Sequence, residues 1–334
     1  MTGRPVLVFS RDPGGANAIV AVLELIHRYL DEVRLPENQD LRKFIREICH
    51  ERDYGDFRIY GKDFATPVLR RAGFDPVPWG PANEDLPVWM KEGGFGAVIT
   101  DLCDVDDRTA HGLWRAAARA GIPSYAFLDF PSNLVLRFRG ADGEETVPER
   151  VFVYETEIRD EMIREGFNGE DVGVVGNLHF QRLGRMSERI PRERIDQLRT
   201  RWLGDSRGKV VLFASENVRE LTGVLGKPKN YDEFQVLERL LGMVEKGWKL
   251  GQDVFDPETT VVVIRPHPKE TPGKFDSYVG RSPVSLVVEN ASDHIEAILA
   301  ADVVTGMTSM MLLEAEFLGK KVASFYENHK LYIG

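Results

Sequence analysis

The sequence has 334 residues, 43% hydrophobic and 29% charged, with a formal net charge of -10: enough chain for two domains, each with its own core. The acidic balance speaks against nucleic acid as the main partner, because phosphate backbones call for clustered Lys and Arg. Two cysteines, Cys49 and Cys103, exclude a disulfide framework and a cysteine-rich zinc site, so both thiols are expected to be reduced.

The opening "MTGRPVLVFSRD" enters an apolar strand at once, without a leader's long apolar stretch, and no apolar run reaches membrane-span length. A cytoplasmic location is expected. "PVLVF" reads as a strand, followed by a glycine turn and the helix "NAIVAVLELIHRYL". The charged helical stretch "LRKFIREICHERD" has no obvious place in a minimal alternation. Then come "FRIYG" (strand), "DFATPVLRRAG" (helix), "GAVITD" (strand), a helix ended by Gly121, and the strand "SYAFLD". "RVFVY", "EIRDEMIREGF" and "VGVVGN" complete the first half. "GNLHFQRLGRMSERIPRER" interrupts the alternation and reads as an interdomain connection. A second series follows: "KVVLFAS", "DEFQVLERLLGMVEKG", "TTVVVIRP", "SLVVEN", "HIEAILAA", "DVVTG", "SMMLLEAEFLG" and "KKVASF". Strands alternating with helices predict two doubly wound, Rossmann-like α/β domains with parallel sheets facing a cleft, at 1–180 and 181–334.

Ligands of such sheets bind beyond the carboxyl ends of the strands. In the second half those positions hold Ser215, Glu216 and Asn217, then Arg265, His267 and Pro268, then Gly306, Thr308 and Ser309. Arg265-Pro266-His267-Pro268 stops a run of β-branched residues, and two prolines make the exit stiff. "TGMTSMMLLEAEFLG" leads from a strand into a helix whose first turn carries Thr308 and Ser309, an arrangement suited to an anion. Glu314 lies five residues after Ser309 and is placed to accept hydrogen bonds from sugar hydroxyls. The plain alternative is that Ser309 is a helix cap and Glu314 a surface residue.

In the first half, "SRDPGGANAI" places Gly14 and Gly15 at a strand-to-helix turn, where the backbone can approach a ligand closely. It lacks the spacing of a dinucleotide fingerprint. Asp12 is the first candidate for a general base, with Asp101 in reserve; an ordinary Asp-Pro-Gly turn is the competing reading of Asp12. Asp129, Ser132 and Asn133, with Arg137 and Arg139 beyond, read first as a structural loop with exposed arginines and second as an acceptor site. The arginine-rich stretch 182–202 reads as a solvated helix face, with membrane-surface contact as the alternative. No serine-hydrolase triad and no metal-ligand spacing among the seven histidines is present.

An "R-x-H-P" strand end followed by "aDvv.g.tS..llEa..lGkkv" resembles the donor half of GT-B glycosyltransferases, above all bacterial capsule and sialic-acid-type transferases. "VVGNLHF", residues 174–180, is similar to the segment entering the second domain of that superfamily and of non-hydrolysing UDP-GlcNAc 2-epimerases, departing at Leu178 and Gln181. The resemblance implies a metal-independent, inverting transferase without a cofactor, in surface polysaccharide or glycoconjugate biosynthesis. Its donor would be a CMP-, UDP- or similar nucleotide-sugar, and its acceptor a glycan, lipid-linked molecule or protein. It carries phosphate contact to His267, Thr308 and Ser309, and ribose contact to Glu314; His267 could also protonate the departing phosphate. Asp104-Val105-Asp106 has the Asp-x-Asp form that binds metal in the GT-A fold, but a helix cap is the preferred reading. An epimerase acting on a UDP-sugar is the alternative: "FASEN" resembles its "HRREN" segment, without the paired arginines and the histidine. A non-catalytic nucleotide-sugar-binding protein is a third reading. GT-B chains ordinarily finish with a helix returning to the first domain, whereas this sequence stops at "ENHKLYIG" soon after a strand.

Overall fold

A computed structural model of the chain describes residues 3–32, 36–51, 54–102, 107–129, 134, 136–139, 145–204, 208–220 and 231–325. It divides into two compact units, Met1–His179 and Phe180–Gly334.

The first unit runs β1 (Arg4–Ser10), α1 (Pro13–Glu32), α2 (Gln39–Arg46), β2 (Tyr54–Gly61), α3 (Ala65–Arg71), β3 (Val77–Pro78), α4 (Leu86–Gly93), β4 (Ala97–Asp101), α5 (Thr109–Ala120), β5 (Ser124–Phe127), β6 (Arg150–Val153), α6 (Thr156–Arg164) and β7 (Val172–Val174). All seven strands are parallel, in the order β3-β2-β1-β4-β5-β6-β7. Alternation along β1 sends Val6 and Val8 to one face, under α1, α2 and α3, and Leu7 and Phe9 to the other, under α4, α5 and α6. That double burial is why the central strands read as continuous apolar runs. The charged stretch around residue 44 has its place here: Leu41, Phe44 and Ile45 of α2 enter the first core. Just before α2 and at its start, Asn38 Nδ2 donates to Val174 O and Asp40 Oδ2 accepts from Val174 N, both at 2.8 Å.

The boundary between the units falls within α7 (Leu178–Ser187), which α8 (Arg192–Leu203) follows. The segment expected to be a connection is therefore mostly helix. The second unit continues with β8 (Lys209–Ala214), α9 (Glu233–Glu245), a hairpin of β9 (Trp248–Leu250) and β10 (Asp253–Phe255), β11 (Thr260–Arg265), β12 (Ser285–Val288), α10 (His294–Ala300), β13 (Val303–Gly306), α11 (Met310–Phe317) and β14 (Lys321–Ser324). Its main sheet is also parallel, in the order β12-β11-β8-β13-β14. Val211 and Phe213 of β8 pack with α9, and Val210 and Leu212 pack with α8, α10 and α11. The arginines of α8 bind carboxylates of their own unit: Arg194 with Glu296 at 2.6 Å, Arg199 with Asp302 at 3.0 Å and Arg201 with Glu289 at 2.5 Å. Arg194 and Arg201 nevertheless keep 62% and 56% of their side chains exposed, in keeping with the solvated helix face expected. Among the described residues no helix is long and apolar enough to cross a membrane.

Candidate functional site

In both sheets the chain builds outward from a central strand and then crosses to that strand's other side. The strand order reverses between β1 and β4 in the first unit and between β8 and β13 in the second, and such switch points open a crevice at the carboxyl edge.

In the second unit, β11, β8 and β13 are neighbours, so the turns after residues 265, 214 and 306 leave adjacent strands. A Cβ at Gly306 would lie 2.6 Å from Ala214 O, so glycine is what lets the rim close up. Across the switch point, the Glu216 carboxylate accepts the Thr308 amide and, at 2.7 Å, the Thr308 hydroxyl. The Ser309 hydroxyl caps α11 by accepting from Met311 N at 3.3 Å. Two groups expected to be offered to a phosphate are thus partly engaged, one by an internal carboxylate. Asn217 is buried beside them. Glu314 is also buried, 3.9 Å from His294 Nε2, which corrects the reading of it as a surface residue.

Arg265 Nη1 donates to Ser292 Oγ at 3.1 Å. Ser292 is held by Glu289, whose carboxylate accepts from the amides of Ala291 and Ser292 at 2.7 and 2.9 Å and from Trp202 Nε1 at 2.9 Å. Burial pushes the Glu289 carboxyl up, but these donors and Arg201 outweigh it and hold it at about 2. His267 N donates to Glu270 Oε2 at 2.6 Å, and Lys269 N donates to His267 Nδ1 at 3.1 Å. The other Glu270 oxygen accepts from Ser215 Oγ at 2.8 Å and Lys274 Nζ at 2.9 Å. Glu220, Glu233 and Glu270 converge as metal-binding carboxylates would, with oxygens within 4.8 Å of one another. Lys274 Nζ pairs with all three, so an ammonium supplies the positive charge that their approach requires. Burial lowers the affinity of Lys274 for its proton, and the three carboxylates more than restore it. Sequence reasoning missed Glu270, Lys274, Ser292 and Glu289, although Glu270 stands three residues after His267.

In the first unit the pair across the switch point is Ser10 and Asp101. Ser10 Oγ donates to Asp101 Oδ2 at 2.6 Å, and Arg11 N reaches the same oxygen at 3.3 Å. A Cβ at Gly15 would lie 2.0 Å from Asp101 Oδ2, and one at Gly14 2.8 Å from Asp129 Oδ2. The close approach these glycines permit is thus to two carboxylates gathered at the start of α1. Asp129 pairs with Arg137 at 2.7 Å, and Asp12 lies 3.6 Å from Arg11 Nη1. Arg137 is buried rather than exposed, whereas Arg139 remains exposed. Asp101 is completely buried, and burial pushes its carboxyl up to about 7; Asp12 and Asp129 add to the rise, while Ser10 and the Arg11 amide oppose it. Asp101, the reserve candidate for the base, is thus tuned toward neutral pH. Cys103, Asp104-Val105-Asp106, Ser132 and Asn133 lie outside the described residues.

No protein-family model and no curated protein matches the sequence. Solved structures do. UDP-GlcNAc 2-epimerase from Neisseria meningitidis, bound to UDP-GlcNAc, aligns over 96% of this chain and 82% of its own, with a TM-score of 0.58 and 13% identity. The Methanocaldococcus jannaschii enzyme, in complex with UDP-GlcNAc and UDP, aligns over 97% and 84%, with a TM-score of 0.61 and 11% identity. Anabaena HepE in complex with UDP-glucose aligns over 96% and 80%, with a TM-score of 0.55 and 12% identity. The fold is GT-B. At such identities the likeness establishes the fold alone.

The comparisons correct the glycosyltransferase reading. The solved structures that share the GT-B fold with this chain include several named as UDP-GlcNAc 2-epimerases, and none of the findings supports a capsule-type transferase, an acceptor or a polysaccharide pathway. The physical reason is that a His-Pro strand end and a Ser/Thr helix start read as a phosphate site, which either kind of enzyme would need. A phosphate site does not specify whether the sugar is transferred or rearranged.

Proposed function

We propose that the protein is an enzyme of the UDP-sugar 2-epimerase type, with the nucleotide held by the second unit. The observation that carries the reading is a GT-B fold matched along 96–97% of the chain by proteins whose structures hold UDP-GlcNAc, UDP or UDP-glucose. In this reading Arg265, His267, Gly306, Thr308 and Ser309 take the phosphates. Glu314 takes the ribose, and Ser215, Glu216 and Asn217 shape the rim. Inverting the carbon next to the anomeric centre requires its C–H bond to break. The electron pair can form a C1–C2 double bond as the C1–O bond to the nucleotide breaks, and both bonds are then remade with the hydrogen on the opposite face. A carboxyl poised near neutral pH suits the proton transfer on one of those faces, and Asp101 is such a group. Asp12 and Asp129 act on it through their charge.

"FASEN" lacks the arginine pair and histidine of the epimerase segment it resembles, which keeps a sugar-nucleotide-binding protein without turnover as the second reading. Incubation with UDP-GlcNAc alone in D2O, followed by proton NMR, separates the two. The C2 epimer carrying deuterium at that carbon is the expected product. A melting temperature raised by UDP with no product would leave the binding reading. Neither stabilisation nor product would end both.

A further inference from the structure

Two hydrogen bonds hold His267, one at its backbone and one at its ring. Its own N–H donates to Glu270 Oε2 at 2.6 Å, and the Lys269 N–H donates to ring Nδ1 at 3.1 Å. Glu270 N closes the turn on His267 O at 2.9 Å. A nitrogen that accepts from an amide carries its lone pair there, so a neutral ring bears its hydrogen on Nε2. Protonating Nδ1 would set two N–H groups against each other. The clamp is itself anchored: Glu270 has a fully buried side chain and also accepts from Ser215 Oγ at 2.8 Å and Lys274 Nζ at 2.9 Å. Pro266 and Pro268 restrict the backbone on either side.

We propose that the Lys269 amide, aimed by the turn that Glu270 closes, holds His267 as a neutral Nε2–H hydrogen-bond donor to a phosphate oxygen of the nucleotide. The ligand rests on the reading given under Proposed function; the state of the ring does not. A neutral imidazole that released its Nε2 hydrogen would become an imidazolate, which is out of reach at neutral pH. His267 therefore stabilises charge by donating a hydrogen bond and does not protonate a leaving phosphate, contrary to the role the sequence suggests.

Two measurements on the full chain test this. In 15N NMR at neutral pH, with His267 assigned by its loss in a variant, Nδ1 should appear as an unprotonated, hydrogen-bond-accepting nitrogen and Nε2 as N–H. A hydrogen on Nδ1, or an imidazolium, would overturn the assignment. In UDP titrations, His267→Gln places an amide N–H near the Nε2 position, whereas His267→Asn places it near Nδ1. The Gln variant should bind within roughly threefold of wild type, and the Asn variant roughly tenfold or more weakly, as expected for one hydrogen bond to a charged oxygen. Equal losses in both variants at unchanged melting temperature would refute the donor role. Failure of wild type to bind UDP would reject the nucleotide and the donor role with it, leaving the ring's state to the NMR result.

Discussion

Asp101 sits where a carboxylate is hardest to keep, enclosed at the end of β4 with two further aspartates near it. Its pKa rises from 3.8 in the unfolded chain to about 7 in the folded one. Between those values the folded state retains a proton that the unfolded chain has released. Stability should therefore fall as pH rises from about 4 to about 7, and level off above. The full penalty is roughly 4 kcal/mol at about 1.4 kcal/mol per pH unit. Asp101→Asn removes the titration, so its melting temperature should change less between pH 5 and pH 8 and exceed that of wild type at pH 8. Turnover of UDP-GlcNAc should be lost in the same variant. An equally steep decline in the Asn protein would show that another group titrates. The residues around this site were only partly legible in the sequence. Asp12, Gly14, Gly15 and Asp101 each stood out at a strand end, but Asp101 ranked second because its tuning depends on β4 lying beside β1. Strand order is a tertiary fact that periodicity does not carry.

Among the elements, strands buried on both faces were readable as apolar runs, and Gly121 marked the end of α5 as a left-handed cap, with φ 64°. The short α4 and the β9–β10 hairpin were not legible, because eight residues of helix and three-residue strands give too few periods to register. The segment α2 was legible as a helix but not as part of the core, since charged residues dominate its composition. The link between the end of β8 and the head of α11 was not legible either, because 92 residues separate Glu216 from Thr308. That link has a testable consequence. Glu216 places a negative charge where the reading above puts a phosphate, so the two repel. Glu216→Gln keeps an acceptor for the Thr308 amide, lets its NH2 donate to the Thr308 hydroxyl, and removes the charge. UDP should then bind roughly three- to tenfold more tightly, corresponding to about 1 kcal/mol of relieved repulsion. Weaker binding in calorimetry would instead make Glu216 a group whose charge the site needs.

At the scale of the whole molecule, two doubly wound domains follow from the alternation of strands and helices, whereas the reaction does not. In the proposed reading the motifs at 265–268 and 306–309 hold an anion, and many enzymes hold anions in this way. A last consequence comes from the two bonds that Asn38 and Asp40 make to Val174. β7 is the outermost strand of a seven-stranded sheet, and an outermost strand is a template for another chain's backbone. Side chains from the start of α2 occupy the donor and the acceptor that Val174 would present to such an intruder. The double variant Asn38→Ala, Asp40→Ala should fold yet self-associate on concentration, visible as rising light scattering where wild type stays flat. A double variant as monodisperse as wild type would mean that the edge is guarded by something other than this plug.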